Sequence, residues 1–226
     1  MRKALPQSFF NRPTVEVARD LIGKYIVRRV SSRVKTNDGA VRELALMITE
    51  TEAYDGPRDL ASHASRGRTP RTTVMFRQAG NFYVYFTYGM HWLVNIVTGA
   101  DGYPAAVLLR AGIWINPATG APVAIDGPAR LTKFLGITGA ENNRPAGRSN
   151  GLWFEDRGTI VSRRNIIASP RIGVDYAGPV WSNKPYRFQL NREAAAANGP
   201  MKRRRTRNQK IAGEKKPRHM HPGLTR

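Results

Sequence analysis

The sequence predicts an α+β domain built around a twisted, mainly antiparallel β-sheet with short peripheral helices. Three observations predict it. Several runs alternate with period two, most of them follow one another directly along the chain, and only a few short stretches carry helical spacing. At 226 residues and 41% apolar content the chain can bury one sizeable core, and a second domain is not needed. The expected division is a domain over residues 1–195 and a basic, low-complexity, disordered arm over 196–226.

Pro13 and Thr14 open a helical pattern (Val17, Ala18, Leu21, Ile22) that Gly23 can close, and Tyr25 to Val30 then reads as a strand. A turn expected at Asn37 to Gly39 leads into a second strand. Strict alternation there places Leu44, Leu46, Ile48, Glu50, Glu52 and Tyr54 on one face, so two acids end an apolar stripe. DGPRD (Asp55–Asp59) breaks this strand and opens an Arg-rich loop, His63 to Arg71, carrying Arg66, Arg68 and Arg71. Phe82 to Phe86 and His91 to Val97 read as a hairpin turning at Gly89, with Tyr88 and Met90 at its tip. Ala105 to Ile115 is an apolar strand whose only charge is Arg110. Gly127 and Pro128 start a helix (Leu131, Phe134, Leu135) that Gly136 ends. A loop rich in Asn, Gly and Arg follows from Gly139 to Gly151, and a mixed segment from Ile172 to Leu190 contains Trp181 and Tyr186.

Composition narrows the chemistry. There are 37 Lys and Arg against 16 Asp and Glu, a formal charge of +21. Residues 201–226 hold ten Lys and Arg against Glu214, so +12 remains on residues 1–200 and the body is itself basic. A polyanion is the expected partner. No cysteine is present, which excludes disulfides, thiol nucleophiles and zinc–thiolate sites. The four histidines, His63, His91, His219 and His221, are too few and scattered for a His-rich metal centre, and neither metal nor cofactor is expected. Motifs for dinucleotides, nucleoside triphosphates and serine hydrolysis are missing. No segment reads as a signal peptide or membrane span, so the expected setting is cytoplasmic, beside the nucleoid in a bacterium; in a eukaryote KRRRTR (202–207) would serve as a nuclear signal.

The acids Glu50 and Glu52 have two readings, a functional cleft or a strand end whose carboxylates pair with arginines. Arg110, alone in an apolar strand, needs an acceptor, which either glutamate could supply. Asn95 must hydrogen-bond backbone or substrate. His63 is a solvated loop residue or a donor to a base. In the hairpin, Phe82, Val84 and Phe86 share one face and Tyr83 and Tyr85 the other, and each aromatic is by default core. Tyr88 is the exception: beside Gly89 it has little core to enter and suits a wedge between stacked bases.

Five blocks, ITETEAYDGPRDLASHA, RGRTPRTTVMF, YVYFTYGMHWLVN, AAVLLRAG and GPARLTKFLGI, in this order, resemble the alkyladenine type of DNA-3-methyladenine glycosylase, the alkylpurine DNA glycosylase family. The resemblance covers roughly Leu5 to Leu190. It implies a monomeric enzyme with a hairpin that enters the DNA minor groove. The implied activity is hydrolysis of the N-glycosidic bond of damaged purines in double-stranded DNA, among them 3-methyladenine and also hypoxanthine or ethenoadenine, leaving an abasic site. Carried over by position, Glu52 matches the general base and Arg110 the arginine that helps hold the water and the flipped nucleotide. Tyr54 and Tyr85 match the aromatics that stack on the flipped base, and His63 contacts it from the pocket edge. Asn95 matches a residue that screens out guanine. Tyr88 matches the intercalating residue; independently of the resemblance, Met90 and His91 stand beside it as groove contacts, and the Arg-rich loop with Arg66, Arg68 and Arg71 suits phosphates. Some members carry an aromatic where this chain has His91. No lysine matches a pocket position, which implies a monofunctional enzyme.

Two rivals belong to other classes. A non-catalytic basic nucleic-acid-binding protein explains the charge and leaves Glu50 and Glu52 without a task. A formyl- or acyl-transfer enzyme would need a nucleotide or folate site that the sequence does not offer.

Overall fold

The computed structural model of the chain describes residues 2–30, 35–36, 39–40, 43–191 and 193, with backbone alone for 35, 36, 39 and 40. The elements run β1 (Lys3–Ala4), α1 (Gln7–Phe10), α2 (Thr14–Asp20), β2 (Tyr25–Arg29), β3 (Lys35–Thr36), β4 (Gly39–Ala40), β5 (Glu43–Asp55), β6 (Phe82–Thr87), β7 (His91–Val97), β8 (Ala105–Ile115), β9 (Pro122–Asp126), α3 (Pro128–Leu135), β10 (Leu152–Asp156), β11 (Ile166–Ser169), α4 (Gly178–Ser182) and β12 (Arg187–Leu190). Short 3-10 turns join them, among them His63–Arg66, Thr73–Phe76 and Asp175–Ala177. The fold is α+β, as expected. Asn37 and Asp38 lie outside the described residues, bracketed by the β3–β4 pairing, and so does the basic arm 196–226.

One sheet of ten strands runs in the order β1-β10-β2-β5-β8-β7-β6, and every pairing in it is antiparallel. Its axis is the long pair β5–β8. The first half of β5 is flanked by β2 and the second half by β12, which in turn carries β11, while the far half of β8 carries β9.

The alternation expected along β5 fails at one point, and that point sets the site. Ile48 pairs with Gly112, Glu50 with Ala111 and Thr51 with Leu109, so Thr49 and Arg110 have no cross-strand partner. An extra residue in a strand exchanges the faces of everything beyond it. Leu46 and Ile48 are therefore in the main core, and past the bulge it is Thr51 and Ala53 that continue on that side. Thr51 donates from Oγ1 to the carbonyl of Ala18 on α2 at 2.8 Å. Glu50, Glu52 and Tyr54 are turned to the opposite face, so the single stripe of six residues is corrected to two half-stripes.

The main core lies between the first face of the sheet and the helices. Val17 and Ala18 of α2, followed by Leu21 and Ile22, and Leu131 and Leu135 of α3 pack with Phe82, Val84, Val94, Ile96, Val107 and Leu109. Each such large side chain contributes about 1.5–3 kcal/mol by leaving water. Gly127 and Pro128 begin α3 and Gly136 closes it in a left-handed conformation, as the sequence predicts. The second face carries Tyr83, Val97 and Ala106, packed by Ala64, Val74 and Met75 from the 3-10 turns.

Gly112 is fixed by the bulge. A Cβ there would sit 2.5 Å from Leu46 Cγ and 2.7 Å from the carbonyl oxygen of Met47, and the backbone oxygen cannot retreat without shifting the pairing. Gly112→Ala is expected to lower the unfolding free energy by about 1–3 kcal/mol, read as a drop in urea midpoint; an unchanged midpoint would show that the β5–β8 register is loose.

Candidate active site

A pocket of about 300 Å³ opens on the second face of the sheet, within the range typical of small-molecule sites. Its floor is Tyr54 from β5, Tyr83 and Tyr85 from β6, Leu93 and Asn95 from β7, and Ala106, Leu108 and Arg110 from β8. Its walls come from Ala61–His63, Met75, Pro128 and the segment Ile172–Val174 with Tyr176. Two-residue spacing on adjacent strands explains the convergence: 83/85, 93/95 and 106/108/110 point the same way because side chains alternate.

Glu52 is 0% exposed and does not itself line the pocket; it lies behind Tyr54, Arg110 and Ile172, which do. A buried carboxylate is costly unless donors surround it. Three do. The amide of Ile172 donates to Oε1 at 2.8 Å, the hydroxyl of Tyr54 to Oε2 at 2.9 Å, and Arg110 Nη1 lies 3.3 Å from Oε2. Arg110 is shared, since its Nε donates to Glu50 Oε1 at 2.8 Å. Glu50 in turn lies 3.5 Å from Arg187 Nη1 on β12. The two readings of the acids are thus both present: Glu50 pairs with arginines, whereas Glu52 is enclosed at a pocket.

Tyr54 is held on two sides. Its hydroxyl is spent on Glu52, and the guanidinium of Arg171 covers its ring at 4.8 Å, leaving one ring face for the pocket. Burial, reinforced by Glu52, pushes its ionisation well above the ordinary tyrosine value, so it stays a donor. Tyr85 is raised for the same leading reason, burial, with Tyr83 adding to it. His63 stands edge-on to Tyr85 with ring centroids 4.8 Å apart, and its Nδ1 is 3.1 Å from the Tyr83 hydroxyl. Asn95 donates from Nδ2 to the carbonyl of Tyr83 at 3.0 Å, so its backbone bond is made while the residue lines the pocket.

The β6–β7 turn rises beside the pocket. Thr87 pairs with His91, and the amide of Met90 donates to the carbonyl of Thr87 at 3.2 Å. Both central residues, Tyr88 (φ 52°) and Gly89 (φ 67°), are left-handed, the pattern of a type I′ turn. Glycine takes that conformation freely. Tyrosine does so at a cost of about 1–3 kcal/mol, yet the Tyr88 ring is 86% exposed and gains little from packing. Met90 and His91 are exposed on the same turn and outside the pocket lining. Arg66, Arg68 and Arg71 are exposed on the loop above, with Arg71 stacked on Tyr85 at 4.8 Å and Arg68 on Phe76 at 4.7 Å.

The structure thus brings Arg110, Tyr54, His63, Tyr85, Asn95 and Tyr88 to one cavity and sets Glu52 behind its lining, bonded to Tyr54, Arg110 and the Ile172 amide. It adds residues that sequence reasoning missed: the Ile172 amide, Tyr83, Tyr176, Arg187 and the buried pair Asp59–Arg171. A main-chain donor leaves no trace in a sequence. Asp59 was visible only as part of a strand-breaking DGPRD, although an acid and an arginine that are both fully enclosed are rare enough to mark a site.

The family described as methylpurine-DNA glycosylase matches residues 8–194. The chain belongs to that family. It is accordingly a DNA glycosylase, a hydrolase of N-glycosyl bonds acting on DNA. Similar proteins agree. One from Anaeromyxobacter sp. (strain Fw109-5), provisionally named 3-methyladenine DNA glycosylase, is 44% identical over 87% of this chain and 93% of its own. Another of the same provisional name, from Myxococcus xanthus (strain DK1622), is 44% identical over 89% and 97%. A third, from Methanocella arvoryzae, is 43% identical over 81% and 90%. Among the described residues no helix is long and apolar enough to cross a membrane.

Burial, helped by the Arg71 cation, pushes the imidazole of His63 down to about 4. Its folded value is below the unfolded 6.5, so the folded state takes up fewer protons between the two. Any stability it lends is complete above about pH 6.5 and is lost as the pH falls towards 4. An NMR titration of the histidine resonances should find His63 still neutral at pH 5.5; a midpoint near 6.5 would show the ring to be solvated.

Proposed function

We propose that the protein flips alkylated or deaminated purines, chiefly 3-methyladenine and also hypoxanthine and ethenoadenine, out of double-stranded DNA and hydrolyses their N-glycosidic bond with a Glu52-activated water. The observation that carries this reading is a fully enclosed carboxylate tethered by an amide, a tyrosine and an arginine that themselves line an aromatic pocket, with an exposed tyrosine at its edge.

A base cannot be cut from its sugar inside the stack, and extruding it costs a few kcal/mol. Stacking against the free face of Tyr54 and against Tyr85 returns about 1–3 kcal/mol per contact, and Tyr88 fills the gap left in the duplex. His63, neutral at working pH, contacts the base edge without competing with Arg71 for a counter-charge. Asn95 rejects guanine by occupying the space of its amino group. Water held by Glu52 and Arg110 attacks the anomeric carbon C1′; Glu52 takes the proton, the C1′–N bond breaks and its electron pair goes to the purine. A cationic 3-methyladenine leaves neutral, whereas hypoxanthine must leave as an anion or be protonated. The product is an abasic site, because no lysine lines the described pocket to form a Schiff base.

Arg66, Arg68 and Arg71, with Met90 and His91 on the turn, hold the flanking phosphates and groove. Catalysis is assigned to residues 1–195 acting as a monomer, and the arm 196–226 adds non-specific affinity for DNA.

Base release from duplexes carrying one 3-methyladenine, hypoxanthine or ethenoadenine tests the reading directly. Glu52→Gln is expected to lower single-turnover release by about 10²–10⁴ with lesion binding retained. Binding without release by the wild type would instead make the chain a nucleic-acid-binding protein. Tyr88→Asn should separate stability from function: asparagine accepts the left-handed turn at less strain, so the urea midpoint should hold or rise while lesion-duplex affinity falls about tenfold, the loss of one stacking contact. A fall in both together would mean that the ring is structural.

A further inference from the structure

We infer that the buried ion pair Asp59–Arg171 is a positioning device for Glu52, acting through the Ile172 amide and the Tyr54 ring. The inference rests on the reading of Glu52 as the base and concerns what holds that base in place.

Both side chains of the pair are 0% exposed, and the pairing is bidentate: Nη1 to Oδ2 at 2.5 Å and Nη2 to Oδ1 at 2.8 Å. The same guanidinium donates to the carbonyl of Ala53 at 2.8 Å and of Trp181 at 3.2 Å. Only its Nε is left without a partner. Asp59 is itself fixed, since its two oxygens accept the amides of Asp55 at 3.0 Å and Ala61 at 3.1 Å. The pair therefore ties together the end of β5, the loop after it and the segment 170–174. Planar fork-to-carboxylate geometry makes that tie directional, which a lysine would not.

Three links from the pair reach Glu52. Ala53, whose carbonyl is clamped, is the next residue in the chain. Ile172, whose amide holds Oε1, is the next residue after Arg171. Tyr54, whose hydroxyl holds Oε2, has Arg171 stacked on its ring. Ile172 is 51% exposed and has little packing of its own to keep its amide aimed. A buried ion pair is a poor way to stabilise a fold, because desolvation consumes most of the attraction. It is a good way to fix geometry, and a misplaced base by even 1 Å loses rate steeply.

The test is non-additivity. Asp59→Asn is expected to slow single-turnover release of 3-methyladenine at saturating enzyme by about tenfold or more, with lesion-duplex Kd changed less than about threefold. In a Glu52→Gln background the same substitution should cause no further loss, because residues acting as a unit do not add. A purely structural role would lower the rate in both backgrounds. Circular dichroism melting confirms that each variant is folded at the assay temperature. Should Asp59→Asn not fold, Ile172→Pro, which deletes the N–H at a half-exposed position, carries the same prediction. Wild-type release by the folded variant, or a loss that persists in Glu52→Gln, overturns the inference. If Glu52→Gln itself releases base at the wild-type rate, the reading of the base has failed first, and the two failures are told apart.

Discussion

The irregular step in the β5–β8 pairing, where Thr49 and Arg110 stand without partners, is the constraint on which the rest depends. Before it, even-numbered residues of β5 build the core. After it, even-numbered residues turn to the face of the sheet that carries the pocket. Without that exchange Glu50 and Glu52 would be driven against α2 with no donors, which the fold could not sustain. The same step leaves Arg110 on the pocket side of β8, so that both acids and the arginine meet on one face through one local distortion. Bulges of this kind commonly re-aim side chains at functional sites.

The charges so delivered are satisfied in a graded way. Glu50 shares two arginines at the edge of the site, and Arg110 bridges it to Glu52. Glu52 instead takes neutral donors, an amide and a phenol, with Arg110 more distant. An interior arrangement of fixed dipoles costs no reorganisation when charge moves. Tyrosines line the pocket around these donors, and the body of the chain is itself basic.

Much of this was legible in the sequence. The α3 boundaries followed from Gly127-Pro128 and Gly136, the tyrosines of β6 from alternation, and the unpacked Tyr88 from its place beside Gly89. Spacing alone left the two acids equivalent; the resemblance of five ordered blocks singles out Glu52 as the expected base, and the structure distinguishes the two only in that Glu52 is fully enclosed while Glu50 pairs with arginines. What stayed hidden was long-range. The bulge depends on the register between strands sixty residues apart, and period-two counting has no term for it. The Ile172 amide is a backbone group, and Arg171 becomes notable only once Asp59, 112 residues earlier, is seen enclosed with it. The short strands β10 and β11 fall in a stretch to which the sequence assigns no element, and β12 falls inside the mixed segment Ile172–Leu190, since four or five residues give too little periodicity to register.

A crystal structure of the Glu52→Gln protein with a duplex carrying one hypoxanthine measures the central claim most directly. The account predicts the base rotated out of the helix and held between Tyr54 and Tyr85, C1′ facing the side chain at position 52, and Tyr88 in the vacated gap. A lesion still stacked in the duplex, with Tyr88 outside it and the pocket empty, would contradict the account.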